Sequence, residues 1–253
     1  MRQFYILSIL LVLQWGFGGV CFAADLPSTI ESVRPSIVGI GSVKKHLRKV
    51  DTVFSGTGFV VGDGTRVITN YHVYRAILDQ KKPGELTVFS GRGEAGRGHK
   101  VVLEHADPEH DLAVLRLRGG RLPALRLAPD GFLREGEDVA YTGFPIGMVL
   151  GLYPVTHRGM VSAITPIVIP ADSAKRLTAE QVKRIRNKRF LVYQLDGIAY
   201  PGSSGSPVYR PDTGEVIAVI NSVFIKGSKE AALKDPSGIS YAIPVKYVRT
   251  LLQ

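Results

Sequence analysis

The chain of 253 residues contains one cysteine, Cys21. No disulfide framework is possible within it, which excludes the small stapled folds of secreted mini-proteins. Acidic residues are also in the minority, with 22 Asp and Glu against 32 Lys and Arg. The resulting basic charge favours anionic surroundings, yet no segment resembles a nucleic-acid module, so no nucleic-acid partner is expected. Low-complexity tracts and repeats of fixed period are absent too. With 45% hydrophobic and 21% charged residues, the composition is that of a globular protein with a real core.

The only long apolar run is at the start. "MRQFYILSILLVLQWGFGGVCFA" opens with Arg2, turns apolar at Phe4 and ends on small residues at Cys21 and Ala23. That pattern predicts a signal peptide over 1–23, cleaved before Ala24 or Asp25. A retained anchor is the alternative. A lipoprotein anchored at Cys21 is a weaker one, because Val20 stands where a small residue is usual. Cleavage after Ala23 leaves no cysteine, and an exported protein without disulfides suits a bacterial periplasm or cell envelope.

The remainder reads as short strands rich in Val, Ile, Tyr and Phe, cut by Gly and Pro. One set runs from "SIVGIGSV" to "DLAVLRLR", another from "EDVAYTGFP" to "ISYAIPV". The stretch Leu122–Arg134, with Pro123, Pro129 and Gly131, reads as the linker between them. Such spacing predicts an all-β fold of barrels or sandwiches. One segment breaks the pattern. In "ADSAKRLTAEQVKRIRNKRF", Leu177, Val182 and Ile185 fall near helical spacing among seven basic residues. It predicts an inserted basic helix over 172–189, a candidate for docking to an anionic membrane surface or an acidic protein, or else a solvated face. A shorter helix, "VKYVRTLL", closes the chain.

Three segments carry chemistry. "AYPGSSGSPVY" packs Gly202 and Gly205 around Ser203 and Ser204, with Pro201 stiffening the approach. A serine nucleophile needs a base, an acid that orients the base, and two backbone N–H groups converging on the oxyanion. Only a sharp turn lets two N–H groups converge, and glycine permits it. Ser204 is therefore the candidate nucleophile, with Gly202 and Ser204 N–H as the oxyanion hole. "VITNYHVY" places His72 after a strand, at the start of a polar turn. "DPEHDLAVLRL" places Asp111 at the head of an apolar strand, a half-buried position suited to orienting an imidazole. His72 and Asp111 lie in the first half and Ser204 in the second, as a cleft between two barrels requires.

With these motifs the chain resembles two-barrel, trypsin-fold serine proteases of the HtrA/Deg kind. "GTGFVV", "TNYHV", "DPEHDLAVLRL", "YTGFPIG", "THRGMVSAI", "QLDGIAYPGSSGSPV" and "GISYAIPVKYVRTLL" resemble that family's segments, in order, from about Ser36 to Leu252. The resemblance implies two six-stranded antiparallel β-barrels, about 29–121 and 135–245 within a domain 24–253, with a C-terminal helix. It implies His72 as base, Asp111 as orienter and Ser204 as nucleophile. It further implies an endopeptidase acting on polypeptides, unfolded ones above all, with no cofactor. With the sequence ending at Gln253, the PDZ domain usual in HtrA proteins is not expected. Ser206 replaces a usual glycine, a feature shared with glutamyl endopeptidases. Ser203 cannot form the ion pair of zymogen-activated relatives, so "SIVGIG" reads as the first strand.

Other readings are weaker. His99, His105, His110 and Asp107 lack a compact metal-ligand spacing, so no metal site is expected. Ile198 and Ala199 are expected at the base of the substrate pocket, with Ile220, Asn221 and Ser222 in its wall. No acid lies at the pocket base, which argues against a preference for Lys or Arg, and a small or medium apolar residue is expected before the scissile bond. A binding or chaperone-like module with an idle triad is the rival function. Nothing in the sequence sets the oligomeric state.

Overall fold

The computed structural model describes residues 25–47, 49–145, 151–166, 190–221 and 238–253. Strands β1 Ile37–Lys45, β2 Val50–Val61, β3 Arg66–Asn70, β4 Glu85–Ser90, β5 Arg97–Asp107 and β6 Leu112–Leu117 close a first barrel in the order β1-β2-β3-β6-β5-β4. Strands β7 Asp138–Gly143, β8 Val155–Pro166, β9 Leu191–Asp196, β10 Pro207–Tyr209, β11 Val216–Asn221 and β12 Ile239–Pro244 close a second, β7-β8-β9-β12-β11-β10. Every strand pair is antiparallel. The second barrel repeats the strand order of the first although no sequence repeat announces it. Closure leaves neither barrel an open edge.

The apolar runs are explained by what the two faces of each strand meet. Successive side chains on a strand point to opposite faces. Val60, Val67, Leu115 and Leu117 fill the first barrel, while Val139, Tyr141, Leu195 and Ala218 fill the second. Their neighbours Phe59, Ile68, Leu112 and Val114 turn the other way, into a third cluster that also takes Ala140, Val192, Val219 and Ile243 from the second barrel. These strands are buried on both faces because the outer face packs against the opposite barrel. That is why "DLAVLRL" is not a clean alternation of apolar and polar residues.

The expected linker is tied down at both ends. Leu125 N–H donates to Val60 O at 2.9 Å, and Ala128 N–H to Val216 O at 2.8 Å. Three α-helices, α1 Leu26–Val33, α2 Tyr71–Leu78 and α3 Val245–Leu252, and two single-turn 3-10 helices, Arg34–Ser36 and Gly93–Ala95, complete the description. Helix α3 is the closing helix expected from the sequence. Its Val245 and Val248 enter the cluster between the barrels, and Arg249 donates to Leu127 O at 2.9 Å and to Ala128 O. Helix α1 is capped by Asp25, whose Oδ1 accepts from Ser28 N–H at 3.1 Å. "SIVGIG" begins β1, as the sequence indicates. The polar turn expected at His72 is instead the first turn of α2, with Val73 and Ile77 anchoring it on the first barrel. The basic helix expected over 172–189 lies outside the described residues.

Candidate active site

The hairpin between β5 and β6 positions the acid. Asp107 Oδ1 accepts from the N–H groups of Glu109 at 3.0 Å and His110 at 3.1 Å, folding "DPEHD" into a tight turn. Asp111 leaves that turn with φ 53°, the one non-glycine residue with positive φ among those described. Such a conformation costs about 1–2 kcal/mol for an ordinary side chain and less for aspartate. Its contacts offset the cost. The carbonyl of Asp111 accepts from Tyr71 N–H and from Asn70 Nδ2, each at 3.1 Å. Its carboxylate accepts from His72 N–H at 2.8 Å through Oδ1 and lies 2.6 Å from His72 Nδ1 through Oδ2.

The strained aspartate and the N-terminus of α2 therefore hold each other in place. An ionised carboxylate only accepts, so the proton between the two groups sits on His72 Nδ1, and Nε2 keeps its lone pair. Both side chains are part-buried, the imidazole 31% exposed and the aspartate 19%.

The serine segment consists of two consecutive turns. Ser203 N–H donates to Tyr200 O at 2.9 Å, with Pro201 and Gly202 between them. Ser206 N–H donates to Ser203 O at 3.0 Å, with Ser204 and Gly205 between them. Gly202 has φ 99° and Gly205 φ 86°. A four-residue turn with proline second and a positive-φ glycine third is type II. The second turn has the same form, with Ser204 in the position that proline takes in the first. Thr57 N–H, on β2 of the first barrel, donates to Ser204 O at 2.8 Å, and Gly205 N–H donates to Ile220 O at 3.0 Å on β11. The nucleophile candidate is thus held from both barrels.

Ile220 and Asn221, expected in the pocket wall, lie at the end of β11. Ile220 is fully buried in the core of the second barrel with Tyr141 and Val208. Asn221 points at the acid, and its Nδ2 donates to Asp111 Oδ2 at 2.7 Å. A strand alternates faces with period two, so these adjacent side chains turn to opposite faces. Ile198 lines an open cavity of about 630 Å³ with Gly197, Tyr141, His157, Asp196 and Gly238, whereas Ala199 is buried and donates through its N–H to Ser240 Oγ at 2.8 Å. In that cavity His157 stacks on Tyr141 with ring centroids 5.2 Å apart. Burial pushes the Tyr141 phenol up and holds the His157 imidazole below its usual range.

The remaining histidines have separate partners. His99 Nε2 is 2.8 Å from Ser90 Oγ, and His110 Nδ1 is 2.6 Å from Asp107 Oδ2, its ring stacked on Tyr247 of α3. No group of three or more metal-ligating side chains gathers among the described residues. Thr57, and the hydrogen bond from Asn221 to the acid, are not legible in the sequence. The glycines beside Thr57, at 56 and 58, mark a close backbone approach but do not name its partners.

Two like barrels, with a clasped histidine–aspartate pair on one and a doubly turned serine on the other, define the architecture of a two-barrel serine hydrolase. The trypsin-like peptidase domain model matches residues 56–219, and the chain belongs to that family. It is similar to the mitochondrial serine protease HTRA2 of Drosophila willistoni, 33% identical over 202 residues, covering 80% of this chain and 38% of the relative. The corresponding protein of Drosophila virilis is 32% identical, covering 80% and 40%. The chain thus spans about two fifths of the length of these curated relatives. An HtrA-type protease structure, an AlgW variant with a tripeptide, shares the fold with a TM-score of 0.63 at 21% identity, covering 91% of this chain and 63% of that one.

Proposed function

We propose that this chain is a serine endopeptidase that cleaves polypeptides through His72, Asp111 and Ser204. The observation that supports the reading is the double grip of Asp111 on His72, by ring and by backbone, together with a serine fixed by two type II turns. In this mechanism Ser204 Oγ attacks the scissile carbonyl carbon and His72 Nε2 takes the hydroxyl proton. The carbonyl oxygen becomes an oxyanion facing the N–H groups of Gly202 and Ser204. His72 then returns the proton to the leaving amine. Water, deprotonated by the same histidine, releases the acyl group from Ser204.

Residues 1–23 act as a signal peptide that exports the domain 24–253 to a bacterial periplasm or envelope. This rests on the charge and apolar pattern of that segment. The substrates are unfolded or partly unfolded proteins, a class taken from the HtrA resemblance. The segment 172–189, with seven basic residues, docks to an anionic membrane surface or an acidic protein. Casein hydrolysis by the parent and by Ser204→Ala tests the central reading. Loss of a triad member removes roughly 10⁴-fold or more of the rate. Turnover retained in the variant would remove the serine mechanism.

A further inference from the structure

Thr57 of the first barrel grips the serine turn through both its N–H and its hydroxyl, while its carbonyl is tied to β3. Its N–H donates to Ser204 O at 2.8 Å. Its Oγ1 donates to Gly202 O at 2.8 Å and accepts from Phe144 N–H at 2.9 Å. Its carbonyl accepts from Thr69 Oγ1 at 2.7 Å, on the strand that runs directly into Asn70 and His72. Thr57 is completely buried, and its hydroxyl has one donor and one acceptor partner. Its side chain is therefore hydrogen-bonded to the serine turn while its backbone is bonded to the strand leading to the histidine.

The direction of these bonds matters more than their number. The peptide between Gly202 and Ser203 is held at both ends, its carbonyl by Thr57 Oγ1 and its N–H by Tyr200 O. The two N–H groups assigned to the oxyanion lie on either side of that peptide. With that unit clamped and the Ser204 carbonyl held as well, their separation and aim are fixed before substrate arrives. The surroundings are shaped for this approach. A Cβ at Gly205 would lie 2.0 Å from Thr57 O, and one at Gly143 would lie 1.9 Å from Ser206 Oγ and 2.9 Å from Thr57 Oγ1. Glycine at both positions lets the β2 backbone and the serine turn come together.

We propose that Thr57 is a positioning residue for catalysis: its hydroxyl sets the oxyanion turn of the second barrel in register with the histidine of the first. The proposal rests on the reading of Ser204 as nucleophile. Thr57 touches no substrate and acts through Gly202 and Ser204. Its loss should weaken stabilisation of the transition state while leaving ground-state binding in place, which predicts a fall in kcat rather than a rise in KM. Displacing a catalytic group by about 1 Å costs on the order of 10²-fold in rate.

The test compares the parent, Thr57→Val and Thr57→Ser on a chromogenic peptide substrate. Circular dichroism and thermal midpoints report the fold. Valine keeps the shape and removes the hydroxyl; serine keeps the hydroxyl. The expected result is a kcat lower by roughly 10- to 100-fold in Thr57→Val with KM within about twofold, and activity near the parent's in Thr57→Ser. A peptidyl boronic acid, which forms a tetrahedral adduct, should lose affinity in the valine variant by a similar factor. Should valine unfold the protein, Thr57→Ala gives the same comparison with less steric demand. Parental kcat in the valine or alanine variant would overturn the proposal. So would a serine variant as impaired as valine, or an effect confined to KM. A parent that neither cleaves peptides nor reacts with a fluorophosphonate would overturn the peptidase reading itself, and the proposal with it.

Discussion

Asn221, the last residue of β11, reaches from the second barrel to the first and places its Nδ2 2.7 Å from Asp111 Oδ2. The oxygen it meets is the one that faces His72 Nδ1 at 2.6 Å. The acid of one barrel is therefore fixed by the barrel that carries the serine. A carboxylate held by several donors cannot rotate away from the imidazole it orients.

Removing this donor should loosen the acid without emptying the site. Asn221→Ala is expected to lower kcat by about tenfold, given roughly 1.5–3 kcal/mol for a hydrogen bond to a charged group and partial replacement by water. Steady-state kinetics on a peptide substrate would show it. An unchanged kcat would mean that the two contacts from His72, one from its backbone N–H and one from its ring, suffice.

Gly205 is expected to tolerate no side chain. Its φ of 86° disfavours any Cβ, and the Cβ would sit 2.0 Å from Thr57 O. Gly205→Ala should cost about 3 kcal/mol or more through strain and separation of the barrels. Gly119→Ala, where nothing lies within 4 Å, is the control and should change stability little. Urea midpoints of the two variants make the comparison, and equal midpoints would contradict the close approach seen here.

His157 should make the fold sensitive to acid. Burial lowers its pKa in the folded state, so the unfolded chain binds the proton more readily. Stability rises with pH wherever the unfolded state holds more protons. This contribution is complete above the unfolded-histidine range near ~6.5 and is lost as pH falls below it. His99, lowered by burial and by Arg97, acts in the same direction. His157→Phe keeps a ring on Tyr141 and should flatten the fall in thermal midpoint between pH 7.5 and pH 5. Parallel curves for the parent and the variant would rule out His157 as a source.

The positions legible in the sequence were those where chemistry restricts the residue type. Gly202 and Gly205, three residues apart around a serine, are the third positions of two turns that need positive φ. An aspartate at the head of "DLAVLRL" could lie close to the barrel interface only because the strand behind it is apolar on both faces. The facing of the pocket wall is not legible for a physical reason. Ile220 and Asn221 are adjacent on one strand, and composition does not say which face is which. Thr57 was illegible because its partners, Gly202, Ser204, Phe144 and Thr69, lie on other strands and turns far along the chain, and only the closed barrels bring them together. Helix α2 was missed because "YHVYRAIL" is short and begins without a capping side chain.

The central claim is that Ser204 is a nucleophile activated by His72, and a fluorophosphonate probe tests it most directly. Intact-mass measurement after incubation should show one adduct on the parent, mapping to Ser204 in the peptide digest. Ser204→Ala should show none, and His72→Ala should react far more slowly, because the base that activates the hydroxyl is gone. A parent that remains unlabelled, or an adduct on a different residue while peptide cleavage persists in Ser204→Ala, would contradict it.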